Sequence, residues 1–177
     1  MRYSVIFLVL LLMGCIEQQT ESVDEGITPL EDFFVMDSGV IPDIDSTGWV
    51  LEVTGLVETQ LALTYEEVLQ VPSVTQVTHL YCMPGYEGTG KWTGVPLRSV
   101  LEKAGYSEQA GAVVIYAADD FYTSISLEKA LQEGTILAYQ MNGVVLPREH
   151  GYPLRLVLPD EVGSKWVKWI VRIEVVE

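Results

Sequence analysis

The chain has 177 residues, 49% apolar and 20% charged, with a formal net charge of −15. Near-half apolar content with modest charge argues for a globular core and against a disordered chain. No Lys or Arg lies between Tyr3 and Gly90, a span holding fourteen Asp and Glu, so nine of the ten cations stand at or after Lys91; with no basic face the chain excludes nucleic acid as a partner, and an anionic small ligand would have to bind in the C-terminal half.

Met1 to Met13 carries one cation, Arg2, then an apolar run from Val5, and Gly14-Cys15 follows. This pattern predicts a signal peptide over residues 1–15, too short to span a bilayer as a permanent helix. Leu12-Met13-Gly14-Cys15 resembles the lipobox of prokaryotic lipoproteins. That resemblance implies lipid on Cys15, an extracytoplasmic location and anchoring to a prokaryotic membrane. Residues 16–28 read as an acidic polar tether. Residues 29–177 have the length of one domain with a real core. Once Cys15 takes lipid, Cys82 is an unpaired thiol outside the cytoplasm. It is either buried and inert, or a nucleophile or metal ligand.

Pro29 to Val35 starts the ordered part, and Ile41-Pro42-Asp43-Ile44-Asp45 is extended. Trp49 to Val57 reads as a strand broken at Gly55. Thr64-Tyr65-Glu66-Glu67 is a capping box opening a short helix that stops before Pro72. Val74 to Cys82 reads as a strand and Met83 to Gly94 as a glycine-rich loop. Pro96 to Gly105 predicts a helix with Leu97, Val100 and Leu101 on one face. Ala112–Ala117 and Phe121–Ile125 predict paired strands across Asp119-Asp120. Ser126 caps a short helix ending near Gly134. Ile136–Met141 and Val144–Leu146 flank Asn142-Gly143, the signal of a type I′ hairpin. Leu154–Leu158 reads as a strand. From Val167 to Val175 apolar residues alternate with Lys168, Arg172 and Glu174, giving a final half-buried strand. Strands outnumber helices and several connections are hairpins, so the fold class is α+β with a mixed or largely antiparallel sheet and short helices.

Three chemistries fail on spacing. Gly85 to Trp92 almost spells a P-loop, but Trp92 has no hydroxyl for magnesium and no helix continues from Lys91. Two histidines, His79 and His150, lie far apart with one available thiol, so no spacing supports zinc. His79 and Cys82 are three residues apart on a strand, which turns them to opposite faces and undercuts a Cys-His nucleophile. His150 to Lys168 does concentrate charge: His150, Arg155, Lys165 and Lys168 flank an apolar run and a Gly163-Ser164-Lys165 turn. A guanidinium fork, turn N–H groups and lysine charges together can build an anion pocket; the alternative is a solvated strand pair with surface lysines.

A soft thiolate beside a cationic pocket suits a soft high-valent metal carried by an anionic cofactor. In order along the chain, Asp32-Phe33-Phe34, Ile41 to Asp45, Trp49 to Val57, Cys82, Trp92 to Leu97, Asp119 to Ile125, Ala138 to Gly143, His150 to Arg155 and Gly163 to Trp169 resemble the molybdopterin-binding domain of the sulfite oxidase family. That family includes periplasmic molybdoenzymes of the methionine-sulfoxide-reductase type. The resemblance spans about residues 31–177. It implies that Cys82 is the protein thiolate on molybdenum, beside the two dithiolene sulfurs of the pterin. It implies that His150 and Arg155 bind the pterin and its phosphate, and that Ser164, Lys165, Trp166 and Lys168 hold the cofactor through backbone donors and charge. Asp119 and Thr123 fall near family positions that touch the pterin.

Two departures stand out. Met36-Asp37-Ser38 replaces the Arg-Asn or Asn-His pair that family members often carry, and Met83-Pro84-Gly85-Tyr86 replaces a Gly-Asn-Arg-Arg run. The sequence also stops at Glu177, before the family's dimerisation domain and its substrate-side tyrosine, so a monomer is expected and sulfite oxidation is disfavoured. The expectation is a molybdopterin-dependent oxidoreductase, extracytoplasmic and lipid-anchored, acting on a small substrate with a separate electron-transfer partner. The alternative is a cofactor-free binding lipoprotein that keeps the architecture. A Cys82 facing a cavity rimmed by Arg155 and Lys168 favours the enzyme; a sealed thiol favours the alternative.

Overall fold

A computed structural model describes residues 26–37 and 39–177. The expected signal peptide, Cys15 and most of the tether fall outside the described residues. Among those described, no helix is long and apolar enough to cross a membrane.

Among the described residues, ten strands form two sheets, accompanied by three short α-helices. The first sheet has the order β2-β1-β10-β5-β6 and the second β3-β4-β7-β8, with β9 also on β7. In the first, β1 (Val50–Gly55) pairs antiparallel with β2 (Leu61–Thr64) and parallel with β10 (Ile170–Val176), and β10 pairs antiparallel with β5 (Ala112–Ala117), itself a hairpin with β6 (Tyr122–Ser126). In the second, β3 (Val74–Met83), β4 (Tyr86–Pro96) and β7 (Ile136–Met141) run antiparallel, and β8 (Val144–Val145) and β9 (Arg155–Val157) share the far edge of β7. The single parallel pair makes the architecture mixed, and the α+β expectation holds.

Local sequence explains most elements. Alternation buries Leu51 and Val53 of β1 while Val50 and Glu52 face out. The Thr64 hydroxyl accepts from the Glu67 amide and the Glu67 carboxylate accepts from the Thr64 amide, so the capping box opens α1 (Tyr65–Leu69) as read. The α2 helix (Leu97–Ala104) buries Leu97, Val100, Leu101 and Ala104 in one stripe and ends on Gly105 at φ 70°. Ser126 caps α3 (Leu127–Ala130) by accepting from the Lys129 amide. Asn142 and Gly143, at φ 51° and 81°, make the turn between β7 and β8. One contiguous core joins the inner faces of both sheets with α2.

Two expectations are corrected. Met83 to Gly94 is mostly the eleven-residue strand β4, not a loop. Its glycines are there for close packing. A Cβ on Gly88 would lie 2.9 Å from the Phe33 ring, one on Gly90 2.8 Å from the Trp92 indole, and one on Gly94 would collide with the Leu137 carbonyl. The would-be P-loop therefore lies in a strand. The last strand begins at Ile170, not Val167. A register shift between Ile170 and Arg172 resets its alternation, so Ile170, Ile173 and Val175 face inward. Val167 to Trp169 instead lies against β9, with Trp169 at φ 55°.

Candidate cofactor site

Cys82 sits at a bulge and keeps the inward direction of the strand alternation. The β3–β4 register shifts between Tyr81 and Met83, leaving Cys82 as the extra residue at the end of β3. Leu80 and Cys82 share the inward face, while His79 faces out, donating to or accepting from the Thr89 hydroxyl at 3.1 Å and lying 3.5 Å from Glu87. The two therefore diverge, as the strand parity predicts.

The cationic stretch is folded back on itself. The Leu156 amide donates to the Val167 carbonyl, Ile170 to Leu154 and Trp169 to Gly151, at 2.8, 3.0 and 3.2 Å. These bonds lay Trp166 and Lys168 alongside Arg155. The 3-10 turn Arg148–His150 closes the same corner. The Lys168 ammonium donates to the Glu149 carbonyl at 3.0 Å, and the Trp169 indole donates to the Arg148 carbonyl at 2.6 Å. Gly151, at φ 117°, leaves no room for a side chain: its Cβ would lie 3.1 Å from Lys168 and 3.2 Å from Arg155.

Cys82, Trp166, Lys168, Gly163 and Met36 line both parts of a cavity between the two sheets. An inner recess of about 50 Å³ adds His150, Arg155, Glu149 and Phe34. An outer cavity of about 510 Å³ adds Asp37, Asp119, Asp120, Phe121, Ser164 and Trp169. Its size is that of a small-molecule or cofactor site.

The inner recess is electrostatically unfinished. Arg155 is 6% exposed, and its guanidinium lies 5.3 Å from the Trp92 ring and 5.9 Å from that of Trp166. It donates to the His150 carbonyl at 3.1 Å, yet its Nε has no partner and no carboxylate pairs with it among the described residues. Burial lowers its pKa to about 10, so it stays cationic at neutral pH. His150 is 2% exposed, set edge-on to Phe33 at 5.7 Å, with an unpartnered Nδ1. Burial, then the charges of Arg155 and Lys168, push its pKa down to about 4, against an opposing pull from Glu149. Burial and Arg155 lower Lys168 to about 8, with Asp37, Asp119 and Glu149 acting the other way. A buried cation normally has a paired anion. Among the described residues no carboxylate plays that part for Arg155.

The sequence-derived residues divide. Cys82, His150, Arg155, Ser164, Trp166, Lys168 and Asp119 line the cavity. Lys165 does not; its ammonium pairs with Glu161 one turn back, at 2.9 Å. Thr123 is half-buried on β6 opposite Ile115 and lines neither part. Sequence reasoning passed over Phe34, Val35, Glu149, Gly163 and Trp169 as lining residues. Phe34, Gly163 and Trp169 lay within quoted motifs, but that a Cβ at Gly163 would lie 3.1 Å from the Cys82 Cβ has no signal in one sequence.

The family model described as the oxidoreductase molybdopterin binding domain matches residues 38–177. The chain belongs to this family. It is 38% identical over 130 residues to YedZ1 of Azospira oryzae, named as a candidate protein-methionine-sulfoxide reductase subunit, covering 73% of this chain and 50% of that protein. It is 36% identical to the uncharacterized oxidoreductase YuiH of Bacillus subtilis, covering 80% of this chain and 73% of that one. An NADH nitrate reductase of Brassica napus is 33% identical, over 83% of this chain and 20% of its own length. Among solved structures, the sulfane dehydrogenase SoxCD of Paracoccus pantotrophus superposes with a TM-score of 0.81 at 28% identity, covering 87% of this chain and 44% of that one. The chain thus spans half the Azospira protein and a fifth of the Brassica one. The family resemblance, the sulfite oxidase-like fold and a molybdopterin cofactor stand as expected.

The site fits that cofactor. Arg155, with its unpartnered Nε, and His150, with its unpartnered Nδ1, await a polar anionic group, and Lys168 adds a third donor. Cys82 brings a soft sulfur to the same cavity.

Proposed function

We propose that this domain is an extracytoplasmic, membrane-tethered molybdopterin oxidoreductase that moves an oxygen atom or two electrons to or from a small substrate. Arg155 carries the reading: a buried guanidinium without a carboxylate, facing the cavity that also holds the Cys82 thiol. Molybdopterin, when bound, supplies a molybdenum that cycles by two electrons.

The protein's part is to hold and tune. Cys82 is the thiolate ligand for molybdenum. Arg155 and Lys168 would neutralise the phosphate-bearing pterin, and uncharged His150 would add a hydrogen bond. The Gly163–Lys165 turn and Trp166 form the wall beside Cys82. The sequence has only two cysteines and no haem-attachment motif, so electrons pass to a redox partner outside these residues. The cofactor-free alternative is disfavoured because Cys82 faces an open cavity with Arg155 and Lys168 rather than packed apolar side chains.

Protein matured in a molybdopterin-producing host should contain stoichiometric molybdenum and pterin; absence of both sinks the reading. Cys82→Ser should abolish turnover while pterin stays bound, because the phosphate contacts lie elsewhere. Labelled fatty acid should enter the chain through Cys15 and be lost in Cys15→Ser.

A further inference from the structure

We propose that β3 pairs edge to edge with β3 of a second copy of this chain, antiparallel and centred on Val77, so that the protein is a two-fold dimer rather than the monomer expected from its sequence. The proposal concerns the strand that carries Cys82 and stands apart from the cofactor reading.

β3 is the outer strand of its sheet. The direction of its main-chain groups follows from its neighbour. On β4 the Lys91 carbonyl accepts from the Asn142 amide at 2.7 Å and the Thr89 carbonyl from the Thr28 amide at 2.8 Å, so both point away from β3. Residues opposite each other in an antiparallel pair aim their N–H and C=O groups either at each other or both away. Val77 and His79, opposite Lys91 and Thr89, therefore turn theirs to the open edge, and Thr75, two residues before Val77, does the same. Nothing among the described residues bonds to the main-chain groups of these three.

Natural edge strands are blunted by charge, proline, a bulge, a covering loop or shortness. Other outer strands of the two sheets are short: β2 has four residues, β6 five and β8 two. β3 has ten, and from Val74 to Met83 it holds no Lys, Arg, Asp, Glu, Pro or Gly, in a chain that is 20% charged. Its bulge comes only at Cys82, past the open stretch. Its outward side chains include Val77, 57% exposed, and Tyr81, 41% exposed. Nothing in β3 itself keeps another strand off.

Two features set the register. Pro72, without an amide, precedes one end of the strand. At the other end the 3-10 turn Gly163–Lys165 stands against the edge, where a Cβ on Gly163 would lie 3.3 Å from the Tyr81 carbonyl oxygen. The open stretch thus runs from Thr75 to His79, with Val77 at its middle. An antiparallel pair of identical strands is two-fold symmetric, so this edge is complementary to itself. Centred on Val77, the pairing sets Val77 against its own copy and Thr75 of each chain against His79 of the other, and it bonds every open group of the three. At a charge of −15 two copies repel over most of their surface, and the uncharged edge of β3 is where they approach with least opposition.

The test uses the full-length chain in mild detergent, sedimented at a density where the detergent is invisible. Wild type should run at the mass of two chains. Val77→Lys sets like charges face to face on the axis and should raise the dimer Kd by about tenfold or more. Circular dichroism should stay unchanged, because the Val77 side chain stands largely in solvent in the single chain. Thr75→Lys combined with His79→Lys should weaken the dimer likewise, and Thr75→Glu combined with His79→Lys should restore it, since that pair sets opposite charges across the axis. Val77→Cys should form a disulfide-linked dimer under mild oxidation, its Cα atoms standing about 5.5 Å apart across the axis. Thr75→Cys, roughly 14 Å from its own copy, should not. A wild-type chain that sediments as a monomer, as it would if its own tether or another protein's strand covered the edge, overturns the proposal. So does a dimer indifferent to Val77→Lys, or one that crosslinks through Thr75→Cys and not through Val77→Cys.

Discussion

Arg155 donates from Nη1 to the backbone carbonyl of His150, five residues earlier, at 3.1 Å, and that is the single hydrogen bond its buried side chain makes within the described residues. The bond fixes the fork across the inner recess and leaves Nε without a partner. An arginine buried solely for stability would sit opposite a carboxylate, because an unpaired buried charge costs several kcal/mol. Arg155→Met should therefore leave the cofactor-free protein as stable as wild type, or more stable by about 1 kcal/mol, since an apolar chain of similar volume removes the uncompensated charge. The same variant should lose pterin. Thermal melts of cofactor-free protein and pterin content of matured protein check the two halves, and a large loss of stability in the cofactor-free variant would show that Arg155 is structural.

His150 makes the cofactor-free protein sensitive to acid. Its folded pKa is about 4, depressed by burial and then by Arg155, against an unfolded value of about 6.5. Between those values the unfolded chain binds a proton that the folded chain refuses. The stability this group contributes is full above about pH 6.5, drains as pH falls towards 4 and is flat below, a change on the order of 2–3 kcal/mol. Lys168, lowered to about 8, gives the same sign in a higher window, from about pH 8 to 10.5. Melting temperatures of cofactor-free protein should fall from pH 7 to 4, and His150→Gln should flatten that slope. Inorganic phosphate should bind the recess best below about pH 8, where Lys168 is protonated, and should blunt the acid loss by raising both pKa values.

Elements with a local period or cap were legible in the sequence: the Thr64 capping box, the α2 stripe and the Asn142-Gly143 turn each rest on neighbours within a few residues. The cationic stretch was legible too, because His150, Arg155 and Lys168 belong to one short segment that folds back through bonds such as Leu156 to Val167. What was missed depends on partners far along the chain. The glycines of β4 read as a loop because glycine favours turns, yet Gly88 packs on Phe33 and Gly94 on Leu137, each more than forty residues away. Gly94 makes the point testable. A Cβ there would strike the backbone of β7 at Leu137 and Ala138, which cannot swing away as a side chain can. Gly94→Ala should cost about 3 kcal/mol or more in chemical unfolding, well beyond the roughly 1 kcal/mol that the same exchange gains or loses at an unhindered site. A cost below that would mean β4 and β7 are less tightly joined than their register requires.

Gly163 offers a finer probe of Cys82. A Cβ at this position would lie 3.1 Å from both the Cys82 Cβ and the Leu80 Cδ1, and 3.3 Å from the Tyr81 carbonyl oxygen. Those distances call for shifts of a few tenths of an ångström, and the Leu80 methyl can give more readily than the bulged backbone that carries Cys82. Gly163→Ala should therefore cost about 1 kcal/mol of stability, the scale of mild overpacking. Its effect on the thiol should be larger in proportion, because a ligand atom must be held within about 0.5 Å of its working position. With cofactor bound, the variant should keep pterin, since Arg155 and Lys168 are untouched, while the sulfur-to-metal charge-transfer absorption shifts and kcat falls by about tenfold. Gly163→Val, with two more methyl groups against the same wall, should deepen both effects. Unchanged absorption and kcat in both variants would show that the Gly163 turn closes the cavity without setting the direction of the Cys82 thiol.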